Sequence, residues 1–448
     1  MRTLTPLGTL PSGVGIAIVA DRIPHTDETV HPPRSSPGAN LPDAPLVRAR
    51  QHGRRYLMFP ILNGIRVLDL TAVILGPFGA QILGDLGAEV IKIESPDGDN
   101  MRPIAPLAAP GLSALFANNN RNKRSIRLDL KSAGGRLALQ KLIPTADVLI
   151  HNMRQDALDK LGFGYEAARS LNDKLIYCAA VGFGRDGPYA GQPAYDDVIQ
   201  AASGFAGLFA LRDGTPQYAP SIIADKVTGL HLVYAVLAAL FHRERSGRAP
   251  GYVEIPMFEA MVAFNMNEHL SGATWGDAET SGYQRAVARD RRPYRTQDGW
   301  LGVLPYTPTH WAKLMTEIGR PEFVEAAWFK DPTERSRNFE KLHAALAEML
   351  PTRTTAEWHE ILARLDVPHA PVQSLSDLLV DPHLAAVDFF KPNFASKTPV
   401  VRTLRQPVGF GDLAVLPDLP PPLLGADTEA VLRDAGCTEA EIAAAQIR

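Results

Sequence analysis

The chain has 448 residues, of which 45% are hydrophobic and 21% are charged, as in ordinary globular proteins. Its 46 basic residues nearly balance its 49 acidic residues, so nothing in the net charge of −3 indicates a nucleic-acid or membrane-surface partner. We expect no run that approaches the length of a membrane helix, and the longest apolar stretches carry polar interruptions. The two cysteines, Cys178 and Cys437, match no metal-ligand spacing, so we expect a cytoplasmic protein in which both are small buried side chains.

Residues 1–58 predict a disordered extension. They are rich in Pro, Gly, Ser and Arg and have no hydrophobic periodicity. Their one apolar piece, residues 13–20, lacks the flanking charges and the cleavage site of a signal peptide. Met58 directly precedes the first predicted strand, and we hypothesise that translation starts there.

The first regular unit is a strand, a helix and a second strand. Apolar runs at residues 65–70 and 88–93 predict the strands, and Gly76-Pro77 opens the helix between them. A crossover of this length joins parallel strands, which puts the turn at residues 71–76 on the ligand-binding edge of the sheet. The segment lacks the three glycines of a dinucleotide fingerprint, so its pattern alone favours a structural unit.

Strand and helix patterns then alternate down the chain. Predicted strands lie within residues 121–131 and at 147–150, 175–183 and 252–255, and predicted helices at 132–143, 152–162, 165–171 and 229–241. This alternation predicts a doubly wound, Rossmann-like α/β domain over residues 59–274.

The amino-acid composition and the hydrophobic pattern change near Trp275. Arginines, aromatic residues and amphipathic helices predict a second, smaller α+β domain over residues 275–381. Proline-rich stretches at 382–422 predict an extended connector, and residues 382–448 as a whole are assigned to that connector and to C-terminal helices that return to the large domain.

The motif in residues 62–96, LNGIRVLDLTAVILGPFGAQILGDLGAEVIKIESP, resembles the start of the large domain of the family III CoA-transferases. This family includes formyl-CoA transferase and carnitine CoA-transferase, and the resemblance extends to the tail segment LLGADTEAVLRDAG. It implies transfer of CoA from an acyl-CoA to a small carboxylic acid by an interlocked homodimer, a topology that the extended connector would suit. CoA is then a substrate, and neither a metal nor a permanently bound cofactor is needed.

The resemblance identifies Asp225 as the nucleophile. The family carries a single aspartate in a P-x-x-x-A-D-x-x-S-G-like segment before an apolar helix, and this segment matches residues 220–229 with Thr228 in place of the serine. Without the resemblance, Asp225 would be read as a helix N-cap. The helix N-terminus is expected to keep its carboxylate ionised, while apolar neighbours exclude the water that would blunt its attack on a thioester.

The resemblance also implies a CoA site made of residues from four segments. Lys131, Arg154 and Lys160 stand at the ends of predicted elements, where they can meet phosphates, although each alone reads as a solvated surface charge. Ser95 stands where formyl-CoA transferase has arginine, so one phosphate contact is expected to be lost or replaced. The full predicted set is Val73, Ile74, Leu75, Leu128, Lys131, Asn152, Met153, Arg154 and Lys160.

Arginines between residues 281 and 298 bear on the choice of acid. The glycine-rich loop of formyl-CoA transferase is not visible there, and the arginines read either as a solvated face or as receivers of a second carboxylate. We therefore hypothesise a dicarboxylic donor or acceptor. The arginines are Arg285, Arg289, Arg291, Arg292 and Arg295.

Two other functions stay open. The related α-methylacyl-CoA racemases move a proton with a His/Asp pair, but Tyr195 stands at the position of their histidine. Asp196 stands where formyl-CoA transferase has glutamate, with a helix N-cap as its structural alternative. A catalytically inactive CoA-binding protein is the second alternative, and Asp225 together with the complete α/β pattern argues against it.

Overall fold

The computed structural model describes residues 58–392, 402–411, 413 and 415–446. Apart from Met58, the predicted disordered extension lies outside the described residues. Met58 itself forms an antiparallel bridge with Leu416.

Helices and strands alternate through the first part of the described chain. The strands are β1 (Arg66–Leu70), β2 (Glu89–Glu94), β3 (Leu107–Ala109), β4 (Leu112–Ser113), β5 (Lys123–Arg127), β6 (Val148–His151), β7 (Ile176–Val181), β8 (Tyr252–Pro256), β9 (Tyr294–Arg295), β10 (Trp300–Val303), β11 (His369–Pro371), β12 (Phe390–Pro392) and β13 (Arg402–Leu404). The helices before residue 270 are α1 (Leu75–Asp85), α2 (Ala114–Asn119), α3 (Ala133–Leu142), α4 (Gln155–Lys160), α5 (Tyr165–Leu171), α6 (Asp196–Ala202), α7 (Phe205–Asp213), α8 (Ile223–Ser246) and α9 (Met257–His269). Those after it are α10 (Gln284–Val287), α11 (Pro308–Glu317), α12 (Glu322–Glu325), α13 (Ala327–Lys330), α14 (Pro332–Arg337), α15 (Phe339–Met349), α16 (Thr355–Leu365), α17 (Leu375–Leu378), α18 (Pro382–Ala386), α19 (Thr428–Asp434) and α20 (Glu439–Gln446).

Six of these strands form one parallel sheet in the order β5-β2-β1-β6-β7-β8. The predicted α/β fold with a parallel sheet is therefore confirmed. The strand order reverses between β1 and β6, and open sheets of this kind bind ligands where the carboxyl ends of two such strands diverge.

Helices cover both faces of the parallel sheet. Consecutive strand residues such as Val67 and Leu68 are fully buried in two different cores, because successive side chains of a strand point to opposite faces. The first core contains side chains of α1, α8 and α9, and the second contains side chains of α3, α5, α19 and α20. Cys178 and Cys437 are buried in these cores, as predicted.

The C-terminal helices cover the β5 edge of the sheet. Val431 and Ile442 are buried in the core that contains α3, although more than 280 residues separate them along the chain from that helix. Asp427 and Thr428 accept hydrogen bonds from the amides of Ser125 and Arg127, both at 3.0 Å. These contacts occupy backbone groups that an edge strand would otherwise leave unpaired.

The predicted extended connector is only partly extended. Asp381 caps α18 through a 2.8 Å hydrogen bond to the amide of Leu384, and Pro382 occupies the first turn, where a missing N–H costs nothing. Strands β12 and β13 then pair antiparallel. Pro382 therefore occupies the start of a short helix in a region where prolines were expected only to interrupt regular structure.

A third core lies among residues 294–367. Strands β9, β10 and β11 form an antiparallel sheet, and Trp311 and Trp358 are buried among the helices that follow. Thr354 and Glu357 form a capping box at the start of α16, which explains why the helix begins there.

Helix α8 corrects one expectation from the sequence. It is 24 residues long and, among the described helices, is the one apolar enough to cross a membrane by length and composition. The prediction that no run reaches this length is therefore wrong. Half of its most apolar stretch is buried inside the protein, as in a core helix.

Candidate active site

The loop after β1 lies at the reversal point of the sheet. Val73 adopts a left-handed conformation with φ of 73°, which is unusual for a β-branched residue. Asn152, which follows β6, donates a 2.8 Å hydrogen bond to the carbonyl of Ala72 and accepts a 3.0 Å bond from its amide. The loops after the two diverging strands are thus tied together.

A cavity of about 470 Å³ opens beside this loop, and we call it the Asp225 cavity. It brings together six of the residues predicted from the sequence, although they come from three distant segments. These are Val73, Leu75, Asn152, Met153, Arg154 and Asp225.

A second cavity, of about 320 Å³, adjoins the first; we call it the Lys131 cavity. It is lined by the predicted Leu128 and Lys131, and it shares Ala72 and Met153 with the Asp225 cavity. Ser95, where one phosphate contact is expected to be lost or replaced, also lines it. The two cavities together form one continuous lining of the sheet edge.

Two predicted residues lie outside the lining of both cavities. Ile74 is 3% exposed and precedes α1, so its side chain packs in the protein interior. Lys160 is largely exposed and forms an ion pair with Asp156 at 3.2 Å, one helical turn away. Its assignment to the CoA site stays a prediction.

Two glycines set the distance between α8 and α1. A Cβ on Gly229 would lie 2.8 Å from the ring of Phe78 and 2.9 Å from the carbonyl oxygen of Leu75. A Cβ on Gly79 would lie 2.9 Å from the carbonyl oxygen of Gly229. The helices therefore touch backbone to backbone, and Asp225, one turn before Gly229, is held beside the loop that follows β1.

Asp225 occupies the first turn of α8, which begins at Ile223 rather than at the predicted residue 229. Its backbone amide donates a 3.0 Å hydrogen bond to one carboxylate oxygen of Asp196. The other oxygen of Asp196 accepts a 2.6 Å hydrogen bond from Gln200, a completely buried residue one turn along α6. The Asp196 charge is therefore fixed close to Asp225.

Burial and the charge of Asp196 raise the pKa of Asp225 to about 7. The expectation that the helix N-terminus keeps this carboxylate fully ionised is therefore wrong. Burial penalises the charged form, and the nearby like charge adds to that penalty. A carboxylate with a raised pKa is also more basic, and hence a stronger nucleophile once it is ionised.

The Asp225 cavity contains residues that sequence reasoning missed. Arg185 lies over the ring of Tyr252 at 4.5 Å, and its amide donates to Glu254 at 3.4 Å. All three line the cavity. Arg185 lies in the Gly/Pro-rich loop after a predicted strand, and Glu254 is a charged residue within an apolar strand, so both carried a signal that could have been used.

The predicted arginine cluster lies in the smaller α+β region. Arg291 and Arg292 line a separate cavity of about 360 Å³ together with His343. Burial and the charges of Arg291 and Arg285 lower the pKa of His343 to about 4. The imidazole is therefore neutral near pH 7, and the positive charge of this cavity belongs to the arginines.

The other arginines of the cluster have different surroundings. Arg285 lies over the ring of Phe339 at 4.5 Å, and Arg295 lies over Trp300 at 5.6 Å. Arg289 is exposed. The five arginines are thus divided between a cavity wall, two aromatic surfaces and solvent.

Comparison with known proteins identifies the family. The model of CoA-transferase family III matches residues 62–428. A protein named a probable fatty acyl-CoA transferase, from Mycobacterium tuberculosis, is 33% identical over 81% of this chain and 95% of its own length. Succinate–glutarate CoA-transferase of Agrobacterium fabrum is 32% identical over 84% of this chain and 96% of its own length.

The fold comparison agrees. The crystal structure of a CAIB/BAIF family protein from Brucella suis aligns with a TM-score of 0.72 and 31% identity, over 84% of this chain and 99% of the other. The resemblance seen in residues 62–96 is thereby confirmed over most of the chain. The protein belongs to CoA-transferase family III and is an enzyme of that family.

Proposed function

We propose that this enzyme moves CoA from an acyl-CoA to a carboxylic acid through covalent intermediates on Asp225. The observation that carries the proposal is the convergence of Asp225, the β1 loop and residues 152–154 on one cavity at the reversal point of the sheet. The raised pKa of Asp225 supports the same role, because an ionised, poorly solvated carboxylate is a strong nucleophile.

The first half of the reaction transfers CoA from the donor acid to Asp225, by way of an acyl anhydride. The carboxylate attacks the thioester carbonyl, the carbon–sulfur bond breaks, and an aspartyl mixed anhydride forms as CoA leaves as thiolate. The thiolate then attacks the aspartyl carbonyl, which gives an aspartyl-CoA thioester and releases the donor acid as carboxylate. Alignment of the reacting groups within one cavity supplies much of the rate enhancement.

The second half reverses these steps on another acid. The acceptor carboxylate attacks the aspartyl-CoA carbonyl, which forms a new anhydride and releases CoA thiolate. The thiolate attacks the acceptor's acyl carbonyl, so the acceptor leaves as its CoA thioester and Asp225 returns as carboxylate. Every step is an acyl transfer, and CoA is a substrate throughout.

Hydroxylamine trapping tests the covalent step. Incubation with succinyl-CoA and hydroxylamine is expected to convert Asp225 to a hydroxamate, which mass spectrometry of the peptide detects. The same incubation without the thioester is the control. An unmodified Asp225 with succinyl-CoA and a panel of other thioesters would contradict the proposal and favour proton transfer or an inactive CoA-binding protein.

The pH dependence should report the Asp196 charge. Because attack requires ionised Asp225, activity is expected to rise as the pH increases through about 7. Asp196→Asn removes the like charge but keeps an oxygen for the Asp225 amide, so the acidic limb of the rate profile is expected to move down by roughly half a pH unit to one unit. The exposed neighbour Asp197→Asn is the matched control and should leave the limb in place.

The CoA phosphates are proposed to meet Lys131 and Arg154. Lys131 lines the Lys131 cavity and Arg154 lines the Asp225 cavity, so two cations flank the shared wall of Ala72 and Met153. Charge-assisted hydrogen bonds from such cations are the usual means of holding phosphates.

A dicarboxylic acid remains the proposed donor or acceptor. The arginine cavity is rich in positive charge, and one relative carries the name succinate–glutarate CoA-transferase. A second carboxylate on the substrate would find a bidentate partner in Arg292, whose neighbour Asp290 lies 3.8 Å away and binds it loosely.

Charge reversal at Arg292 and Arg295 tests this assignment. We expect the double Arg→Glu variant to raise KM for succinate at least about tenfold, as loss of a charged hydrogen bond predicts, while KM for a monocarboxylate changes little. Arg337→Glu, on an exposed helix of the same region, is the control for net charge. Unchanged kinetics with succinate would contradict the dicarboxylate proposal.

The enzyme is proposed to work as an interlocked homodimer in the cytoplasm. Exposed apolar side chains support a partner surface: Leu230, Tyr234 and Phe241 on α8 are each more than half exposed, and Leu375 is 86% exposed. Light scattering that gave the mass of a single chain would contradict the dimer.

A further inference from the structure

Side chains from neighbouring strands and loops bond the backbone of the β1 loop at three successive residues, Thr71, Ala72 and Val73. The amide of Thr71 donates to Asp69 at 3.0 Å, and its carbonyl accepts a 2.9 Å hydrogen bond from Lys92. Asn152 bonds both the amide and the carbonyl of Ala72. Every backbone polar group of these two residues is therefore engaged within the protein.

Asp99 completes this arrangement at Val73. One oxygen of its carboxylate accepts the Val73 amide at 3.3 Å and the Met101 amide at 2.9 Å. The other oxygen forms an ion pair with Lys92 at 2.8 Å, and both side chains are almost completely buried. Asp99 thus bonds the loop at Val73 and Lys92 bonds it at Thr71, and the ion pair joins the two side chains.

The hydrogen bond from Val73 to Asp99 stabilises an unfavourable, left-handed backbone conformation at Val73. A β-branched residue with positive φ costs about 1–3 kcal/mol and persists only where the surroundings impose it. Without an acceptor for its amide, Val73 would relax toward negative φ and change the wall of the Asp225 cavity, which it lines. The buried ion pair with Lys92 fixes the Asp99 carboxylate that accepts the Val73 amide.

We infer that Asp99 is a positioning residue for CoA, which fixes the β1 loop in its ligand-binding shape through the Val73 amide. The inference rests on the proposed binding of CoA at this loop. It also means that the amides of residues 71–73 are not free to bind phosphate, in contrast to the glycine-rich turns of dinucleotide sites. Phosphate recognition then falls to side-chain cations.

Calorimetric titration of CoA into the full-length protein tests the inference. Asp99→Ala is expected to raise the Kd for CoA about tenfold, whereas Asp99→Asn, which keeps the acceptor oxygen, should stay within about threefold of wild type. Asp85→Ala is the matched control, because Asp85 is equally buried and paired with Arg121 but does not contact the loop. It should lower stability without changing the Kd.

A second background separates positioning from general destabilisation. Glycine adopts positive φ freely, so in a Val73→Gly background the loss caused by Asp99→Ala should shrink to less than about threefold. If Asp99→Ala fails to fold, the double variant Lys92→Met with Asp99→Leu leaves neither member of the pair buried without the other. It is expected to lose at least tenfold in affinity, because it also removes the hydrogen bond from Lys92 to the Thr71 carbonyl.

The outcomes are distinct. Wild-type affinity in folded Asp99→Ala, an equal loss in Asp85→Ala, or an undiminished loss in the Val73→Gly background would each overturn the positioning role. Wild-type protein that did not bind CoA would instead overturn the proposed function.

Discussion

Replacement of Asp225 by Asn is expected to lower CoA transfer at least about 10³-fold while the protein stays folded. The asparagine side chain has nearly the shape of the carboxylate but cannot attack a thioester. The backbone N–H of residue 225 still donates to Asp196 in the variant. Steady-state kinetics with succinyl-CoA and several acceptor acids provides the measurement. A variant that kept more than a tenth of wild-type activity would exclude Asp225 as the nucleophile.

The same variant should be more stable than wild type above about pH 4, with the full gain reached above about pH 7. The folded-state pKa of Asp225 is raised to about 7, so ionisation opposes folding: the cost is absent below about pH 4, grows through pH 7 and is constant above it. The full shift corresponds to about 4 kcal/mol, and partial solvent access reduces this, so a gain of roughly 1–3 kcal/mol is expected at pH 8. Urea unfolding at pH 4 and pH 8 measures it, and equal gains at both values would contradict the raised pKa.

Gly229→Ala is expected to have the second-largest effect, although the change adds one methyl group. The new Cβ would lie 2.9 Å from the backbone oxygen of Leu75, so α8 must move away from α1. Overpacking of this kind costs about 1–3 kcal/mol. Because Asp225 lies one turn away, a shift near 1 Å is expected to lower kcat about 10²-fold.

Gly207→Ala provides the control for Gly229→Ala. Gly207 lies within α7, and a Cβ there would have no heavy atom within 4 Å. The substitution should leave kcat unchanged and raise the free energy of unfolding by about 0.4–1 kcal/mol through the unfolded chain. Equal losses of kcat in the two variants would show that the crossing of α1 and α8 does not position Asp225.

Much of the fold could be predicted from local pattern. The strands around Val67 and Val90 carry apolar residues on both faces, as buried parallel strands do, and Gly76-Pro77 marks the start of the intervening helix. The helix carrying Asp225 was placed too far along the chain: the apolar run predicted it at residues 229–241, whereas α8 begins at Ile223. Local pattern cannot reveal that the Asp225 amide finds its acceptor in Asp196.

The chemistry of the site depends on contacts that no local pattern contains. The raised pKa of Asp225 requires Asp196, from another helix, and burial by the surrounding core. Lys92 alternates with Ile91 and Ile93 in a strand, which by pattern would turn it to solvent, yet it is completely buried against Asp99. The family resemblance supplied the residues that we propose to meet substrate, but it did not point to Asp99, Lys92 or Asp196, which hold the neighbouring backbone.

The coverage of β5 by the C-terminal helices has a consequence for biosynthesis. The amide of Ser125 is bonded to Asp427, 302 residues later, and Leu432 and Ala445 are buried against the same half of the protein. During translation, one apolar face of the early strands and one edge of their sheet stay uncovered until the last helices leave the ribosome. The nascent chain is therefore expected to bind chaperones. A ribosome stall late in the message would expose a sheet edge whose unpaired backbone groups can pair with other chains.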